Sequence, residues 1–338
     1  MEKKSLTIKD IAKMVGASHA TVSRVLSGSS YPVSAEMREK IERIARENNY
    51  TPNMMGRQLR LPLTNDVGVI VPDFINPYYS AIIASLDECF QDNNLDMLVM
   101  RSDTTPEAER ETIVRMISRR VRALVLCEDP KDESLIQLIV DHGVRPIVIN
   151  GASVYPGCTV ICRDMAMLGE RVVSYLYGLG HRHMAFVRHF GSSSGRYQAA
   201  IRAAADKFGV ELVDDYPRGL SERGVMSMYK AGQGIAQWLS QNAPQVTAYI
   251  ASNDMLAVGA IAGLLAQNLS VPGDISVVGR DNVLLARTSV PLLTTVSEDY
   301  EGISSAVVDA IYGSGDGGMK LVDADLVVNA STGRVRVK

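Results

Sequence analysis

One eight-residue stretch near the N-terminus carries side chains suited to reading another molecule's surface. From His19 to Leu26 a helix with Val22, Val25 and Leu26 inward, at 100° per residue, leaves Ala20, Arg24 and Ser27 opposite, with Thr21 and Ser23 on the flanks. Small and hydroxyl side chains let a backbone approach a polyanion. The helix N-terminus attracts phosphate, and Arg24 can donate a fork to O6 and N7 of guanine. Ala20 offers only apolar contact, for example to a thymine methyl, while His19, in the first turn, is within reach of a base edge or a phosphate. This is the equipment of a helix that enters the major groove of DNA; a plain three-helix bundle with a polar outer face is the alternative.

A second set stands at the ends of apolar, strand-like segments. Phe74 and Tyr78 follow Val67–Val71, Arg196 follows the Gly191–Gly195 loop, and Asn253 and Asp281 each follow a strand. A carboxylate, an amide and a guanidinium suit a polyhydroxylated ligand, because hydroxyls both donate and accept, and aromatic faces stack on sugar or base rings. Arg101, Arg188 and Arg280, also at strand ends, hint at an anionic effector such as a sugar acid or phosphorylated sugar. For Asn253-Asp254, helix capping is an equal alternative. No catalytic cluster emerges. The serine-rich 191–195 loop lacks a nucleophile-elbow setting and a histidine partner. His181 and His183 fit a loop before a strand, and Gly313–Gly318 reads as a flexible turn without the Walker lysine. Cys158 and Cys162 are four apart with strand residues between them; with Cys89 and Cys127 they read as buried free thiols rather than a metal pair. No cofactor, metal or enzymatic activity is expected.

The elements that must hold the first set are legible. Thr7 caps a helix with Asp10 at the third position, and Ile8, Ile11 and Ala12 form its inner stripe. Gly16 stops that helix, Ser18 caps the next and Gly28 ends it. Ser34 starts a third helix with Met37, Ile41, Ile44 and Ala45 inward. A short turn between the first two helices makes a helix-turn-helix. Net charge is −3, but residues 1–63 hold eleven Lys/Arg against six Asp/Glu and the rest 24 against 32, a basic head on an acidic body. Between them, residues 52–63 predict a marginal helix capped by Asn53 and weakened by Gly56, ordered only when two copies pair on DNA. Exposed Leu59, flanked by Arg57 and Arg60, is then a minor-groove wedge; an ordinary linker is the other reading. From Asp66 onward ten apolar strands alternate with helices, which implies two doubly wound parallel-sheet subdomains, buried on both faces, with a ligand cleft beyond the strand ends.

Thr7-Ile8-Lys9-Asp10-Ile11-Ala12, Gly16-Ala17-Ser18, Thr21-Val22-Ser23-Arg24-Val25-Leu26 and Asn49-Tyr50-Thr51-Pro52-Asn53 together resemble the head of the lactose/galactose repressor family. The body carries further markers: Gly68 to Asp73, Asn76-Pro77-Tyr78-Tyr79, Gly180-His181-Arg182-His183, Ser252 to Ala260, Val271 to Gly279 and Pro291 to Val296. The resemblance implies a periplasmic-binding-protein-like body, with His19, Ala20 and Arg24 as base readers. Asn53-Met54-Met55-Gly56-Arg57-Gln58-Leu59 is similar to the family's hinge, departing from it by glycine for alanine. The resemblance also implies that Arg196, Asn253 and Asp281 bind an effector, joined by Asp164 as a cleft aspartate and by Asp73 beside Phe74. Arg280 stands where the family usually has an aromatic, and Met165 where it often has asparagine.

The implied molecule is a homodimer on a palindromic double-stranded DNA operator, a regulator and by resemblance a repressor, with its affinity set by a small-molecule effector. The expected divisions are 1–51 for the head, 52–63 for the hinge and 64–338 for the body, with subdomains near 64–162 plus 297–322 and 163–296 plus 323–338. No signal peptide or membrane span is read, so the expected compartment is cytoplasmic. The rivals are a transport solute-binding protein, which would need a signal peptide but not the basic head, and an enzyme, which would need a catalytic cluster.

Overall fold

The structure, a computed structural model, describes residues 7–26, 32–48, 50, 64–102, 105–188, 192–215, 225–313 and 317–336. Ser27, Gly28 and the expected hinge with Asn53, Gly56, Arg57, Leu59 and Arg60 lie outside the described residues. The chain divides into two compact units, Met1–Thr64 and Asn65–Lys338.

The first unit holds α1 (Ile8–Val15), α2 (His19–Leu26) and α3 (Ala35–Glu47). Helices this short are marginal alone and depend on packing. Ile11, Ala12, Val15, Val22, Val25, Ile41 and Ala45 supply that packing in one small core, with Tyr50 against its edge. Each helix start is closed by a side chain. The Asp10 N–H donates to Thr7 Oγ1 (3.3 Å) while the Thr7 N–H donates to Asp10 Oδ2 (2.9 Å), a reciprocal cap. Gly16, at φ +73°, ends α1 in the left-handed conformation that a side chain disfavours. The Lys40 ammonium donates to the Val15 carbonyl (3.4 Å), tying α3 to the end of α1.

The second unit is built on two six-stranded sheets. The first contains β1 (Asp66–Val71), β2 (Asp96–Arg101), β3 (Ala123–Leu126), β4 (Arg145–Ile149), β5 (Thr159–Cys162) and β11 (Gly318–Leu321), ordered β11-β5-β4-β3-β1-β2 and parallel throughout. The second contains β6 (His183–Val187), β7 (Glu211–Val213), β8 (Ala248–Ala251), β9 (Ser276–Asp281), β10 (Thr294–Glu298) and β12 (Ala324–Val327), ordered β12-β10-β9-β8-β6-β7. Only β12 runs antiparallel there. Twelve strands are described where the sequence suggested ten, and the second sheet is not purely parallel. The additions, β7 and β11, are edge strands.

Helices cover both faces of each sheet, which is why their strands read as apolar runs. On the first, α4 (Pro77–Asp92) and α12 (Tyr300–Tyr312) bury Ile82, Leu86, Phe90, Ile303, Val307 and Ile311 against Val67, Val69 and Val125. On its other face α5 (Pro106–Ser118) and α6 (Ser134–Asp141) bury Ile113, Met116, Ile136 and Ile139 against Ile70, Leu124 and Leu126. On the second, α7 (Met165–Gly178) and α8 (Ser192–Phe208) take one face, α9 (Val225–Asn242) and α10 (Asp254–Leu265) the other, and the short α11 (Leu284–Thr288) follows β9. The glycine-rich segment read as a turn contains the start of β11 at Gly318. The chain crosses between sheets three times: after β5, after β10 and between β11 and β12.

Candidate nucleic-acid interface and effector cleft

In the head, α2 begins at a tight cap. The Thr21 N–H donates to Ser18 Oγ (3.1 Å), and the Ser18 and Thr21 hydroxyls share a hydrogen bond of 2.8 Å. Val22 and Val25 are buried, and Leu26 is half-buried. His19, Ala20 and Arg24 are exposed, while Thr21 and Ser23 are half-buried on the flanks. Within the head no described element covers the face that carries Ala20 and Arg24. Ser18 and Thr7 serve as caps, so their hydroxyls hold the helix ends, and backbone N–H groups at those ends remain open to phosphate.

In the body, the expected effector residues gather where strands end. Asp73, Phe74 and Tyr78 follow β1. Asp73 Oδ1 accepts the Ile75 N–H (2.8 Å) and so shapes that loop, leaving Phe74 half-exposed. Tyr78, in the first turn of α4, is buried. Asp164 caps α7 by accepting the Met167 N–H (2.9 Å), and Asn253 caps α10 by accepting the Leu256 N–H (2.9 Å). The Asn253 amide side chain also lies 3.4 Å from Met228 Sδ. Capping therefore employs one oxygen of Asn253 and leaves its second face toward α9. Arg101 ends β2 with its side chain exposed.

Arg196 reaches from α8 in the second half to the first. Its Nη1 donates to the Gly151 carbonyl (2.7 Å), its Nη2 donates to the Asn150 carbonyl, and it lies 3.8 Å from the Asp129 carboxylate. Asn150 follows β4 at φ +63°, so a strand end of one sheet is strapped to a helix of the other.

Below this strap lies a buried polar chain that composition and spacing do not reveal. Arg163, leaving β5, ion-pairs with Glu298, the last residue of β10. Arg163 also donates to Asn150 Oδ1 and to the Tyr78 hydroxyl (3.1 Å), and Asn150 Nδ2 donates to the same hydroxyl (2.6 Å). Arg280 lies 3.6 Å from Glu298 and 3.5 Å from Asp281. These groups are almost wholly enclosed. Buried charge is tolerated only when balanced. Arg163 and Arg280 here face Glu298 and Asp281, and the Asp254 carboxyl lies close enough to Asp281 to feel its charge. Burial, then the Asp281 charge, pushes the Asp254 carboxyl well above the usual range. Burial also raises Asp281, against the pull of Arg280 and Arg163, to about 6.

The backbone at this point is held in an uncommon conformation: φ is +109° at Asp281 and +52° at Asn282. Non-glycine residues there cost ~1–3 kcal/mol and persist only where neighbours over-determine them. They do so here. Tyr300 donates its hydroxyl to the Asp281 carbonyl (2.8 Å), Asn282 donates to Ser297 Oγ (2.9 Å), and the Val283 N–H donates to Asp254 Oδ2 (2.9 Å). Arg280 sits over the Tyr197 ring at 5.1 Å. Its Nε and Nη1 have no hydrogen-bond acceptor among the described residues. The arrangement is a polar seat at the crossovers between the two sheets. Sequence reasoning found Tyr78, Arg196, Arg280 and Asp281. It missed Arg163, Asn150, Asp254 and Glu298; an arginine next to Asp164 and a glutamate ending a strand were the available signals.

Comparison with known proteins places both units. Residues 7–53 match the family model for bacterial regulatory proteins of the lacI family, and residues 173–315 match a periplasmic binding protein-like domain. The chain is 28% identical over 297 residues to the HTH-type transcriptional regulator DegA of Bacillus subtilis, covering 86% of each chain. It is 27% identical over 317 residues to the ribose operon repressor of Haemophilus influenzae, covering 90% of each. Among solved structures, the lac repressor dimer bound to operator and the anti-inducer ONPF superposes with a TM-score of 0.83 at 23% identity, over 98% of this chain and all of that one.

Proposed function

Because residues 7–53 match the lacI family of bacterial regulatory proteins and residues 173–315 a periplasmic binding protein-like domain, we propose that the chain binds operator DNA through α2 and answers to a small effector held in the cleft of its body. It is a sequence-specific transcriptional regulator. The observation that carries the DNA half is the uncovered face of α2 inside the head, with Arg24 and Ala20 outward and the helix N-terminus open to phosphate. His19, Thr21 and Ser23 flank that face. A hinge over 52–63, with Leu59 as wedge between Arg57 and Arg60, links a head of 1–51 to a body of 64–338. The functional unit is a homodimer on a two-fold operator, because two symmetric heads require two symmetric half-sites.

For the effector we infer a sugar derivative bearing an anionic group. Phe74 supplies a ring face, Asn253 and Asp281 polar contacts, Arg196 and Arg101 cations, and Asp73 and Asp164 shape the two rims. Support for the anion comes from Arg280, a buried guanidinium whose Nε faces Asp281 and Glu298 while its Nη1 has no acceptor among the described residues. The relatives' names, a ribose operon repressor among them, favour a carbohydrate. Ligand binding competes with the Arg196 strap and so changes how the two halves meet; coupling to DNA affinity of ~1–3 kcal/mol is typical of such devices.

The test combines two measurements on the purified full chain. Operator fragments selected from random DNA should bind tightly, with affinity falling steeply as salt rises. Sugars, sugar acids and phosphorylated sugars screened by thermal shift should include one that raises the melting temperature and alters operator affinity. Failure to select any preferred sequence, or a flat salt response, would remove the regulator reading. A ligand that shifts melting without touching DNA binding would remove the coupling.

A further inference from the structure

At the end of the second sheet opposite the strand ends of the cleft lies a cavity of about 680 Å³. Its lining includes Thr247 and Ile275, which precede β8 and β9, and the segment 334–336. Its volume falls in the range of small-molecule sites, ~300–1,000 Å³. Two of the family-like segments, around His181 and from Pro272 to Ile275, contribute to its walls, yet neither the DNA-binding face nor the cleft uses it.

Three features make it more than a gap. Tyr249 lines it, is 1% exposed, and its hydroxyl has no hydrogen-bond partner among the described residues. Burial pushes the Tyr249 phenol well up, so it remains a neutral donor and acceptor. Arg334 and Arg336, two apart in the chain, also line it. Neither guanidinium has an ion pair or hydrogen bond among the described residues. The one acidic lining residue, Asp274, has its carboxylate on the Ser270 N–H (2.8 Å) and hydroxyl (2.6 Å). His181 is not available as a ligand group: its ring nitrogens sit 2.8 Å from Thr247 Oγ1 and 3.1 Å from the Gly333 carbonyl, and burial lowers its pKa so that it stays neutral. The remaining walls are largely apolar.

We propose that this cavity is a second ligand site, separate from the cleft, that takes an amphipathic organic anion. A carboxylate or phosphate lies between Arg334 and Arg336, an apolar ring or chain rests on the walls, and a hydroxyl at the far end pairs with Tyr249. Strands β8 and β9 run from this cavity to Asn253 and Asp281, so an occupant here touches the base of the strands that carry cleft residues.

Calorimetric titration of the full chain tests it with 6-hydroxy-2-naphthoate as the probe. One molecule should bind per chain. The double variant R334A/R336A, with an unchanged melting temperature, should weaken binding by about tenfold or more, as expected for loss of charged hydrogen bonds. Tyr249→Phe should weaken this probe several-fold while leaving 2-naphthoate unchanged, and Arg196→Ala in the cleft should leave both unchanged. Tighter binding of 2-naphthyl phosphate would identify phosphate as the preferred anion, and tighter binding of 2-naphthoate a carboxylate. No heat at millimolar probe, equal affinity in R334A/R336A, or equal affinity for uncharged 2,6-dihydroxynaphthalene would each overturn the proposal.

Discussion

Single side chains divide here into those that read and those that hold. Arg24 is the proposed reader: replacing it with alanine should cost ~1–3 kcal/mol of discrimination between operator and scrambled DNA, measured by competition binding. Equal loss on both sequences would instead make it a phosphate contact. Arg163 holds. Arg163→Met strands part of the Glu298 charge in a closed site and should lower stability by ~3–5 kcal/mol in urea unfolding; a change below about 1 kcal/mol would show that Arg280 alone satisfies that glutamate. Asp281 gives a pH signature. Its carboxyl titrates higher in the folded protein, at about 6, than in an unfolded chain, where carboxyls titrate near ~4. The folded state therefore binds the proton more tightly, and this contribution is present at low pH and lost as pH rises from ~4 through about 6. Urea midpoints across that window should fall less steeply for Asp281→Asn than for the parent chain; parallel curves would contradict the raised value.

At the scale of elements, packing between α9 and α10 sets a tight limit. A Cβ on Gly259 would fall inside van der Waals contact of the Tyr229 carbonyl, and one on Gly263 would meet the Gln233 carbonyl at 2.7 Å. Gly259→Ala should therefore force the helices apart and cost ~1–3 kcal/mol, read as a drop in urea midpoint; a neutral result would mean that α9 can slide. Elements with strong periodic signals were legible from sequence: α1 to α3 with their caps, and the buried parallel strands. β7 and β11 were not, because three- and four-residue edge strands are half-exposed and carry no continuous apolar run. α12 carries a comparable signal, since Ile303, Val307 and Ile311 recur at helical spacing after the Asp299 cap. In the cleft, strand-end placement pointed to Arg196 and Asp281. Their true neighbours were hidden, since Arg163 and Glu298 lie far apart in sequence and meet only through the crossovers.

Across the whole molecule, the body's two halves are joined by three chain crossings, the buried charge chain and the Arg196 strap. Arg196→Ala removes the one of these that, on the proposed function, the effector displaces. The variant should retain its fold by circular dichroism, lose effector-induced thermal stabilisation, and leave operator affinity indifferent to effector. Full retention of the effector response would show that the strap is incidental.

The interleaved connectivity also governs how the protein can be made. The first sheet is missing its β11 edge until residues 318–321 have emerged, long after β1 to β5, and β12 then closes the second sheet almost at once. A nascent chain that has reached Val213 thus displays an unfilled flank along β5, with its main-chain donors and acceptors open to a neighbouring polypeptide. Vectorial synthesis cannot finish one half before starting the other; both sheets are sealed only once residues 318–327 have emerged, and truncation before that segment damages two sheets rather than one.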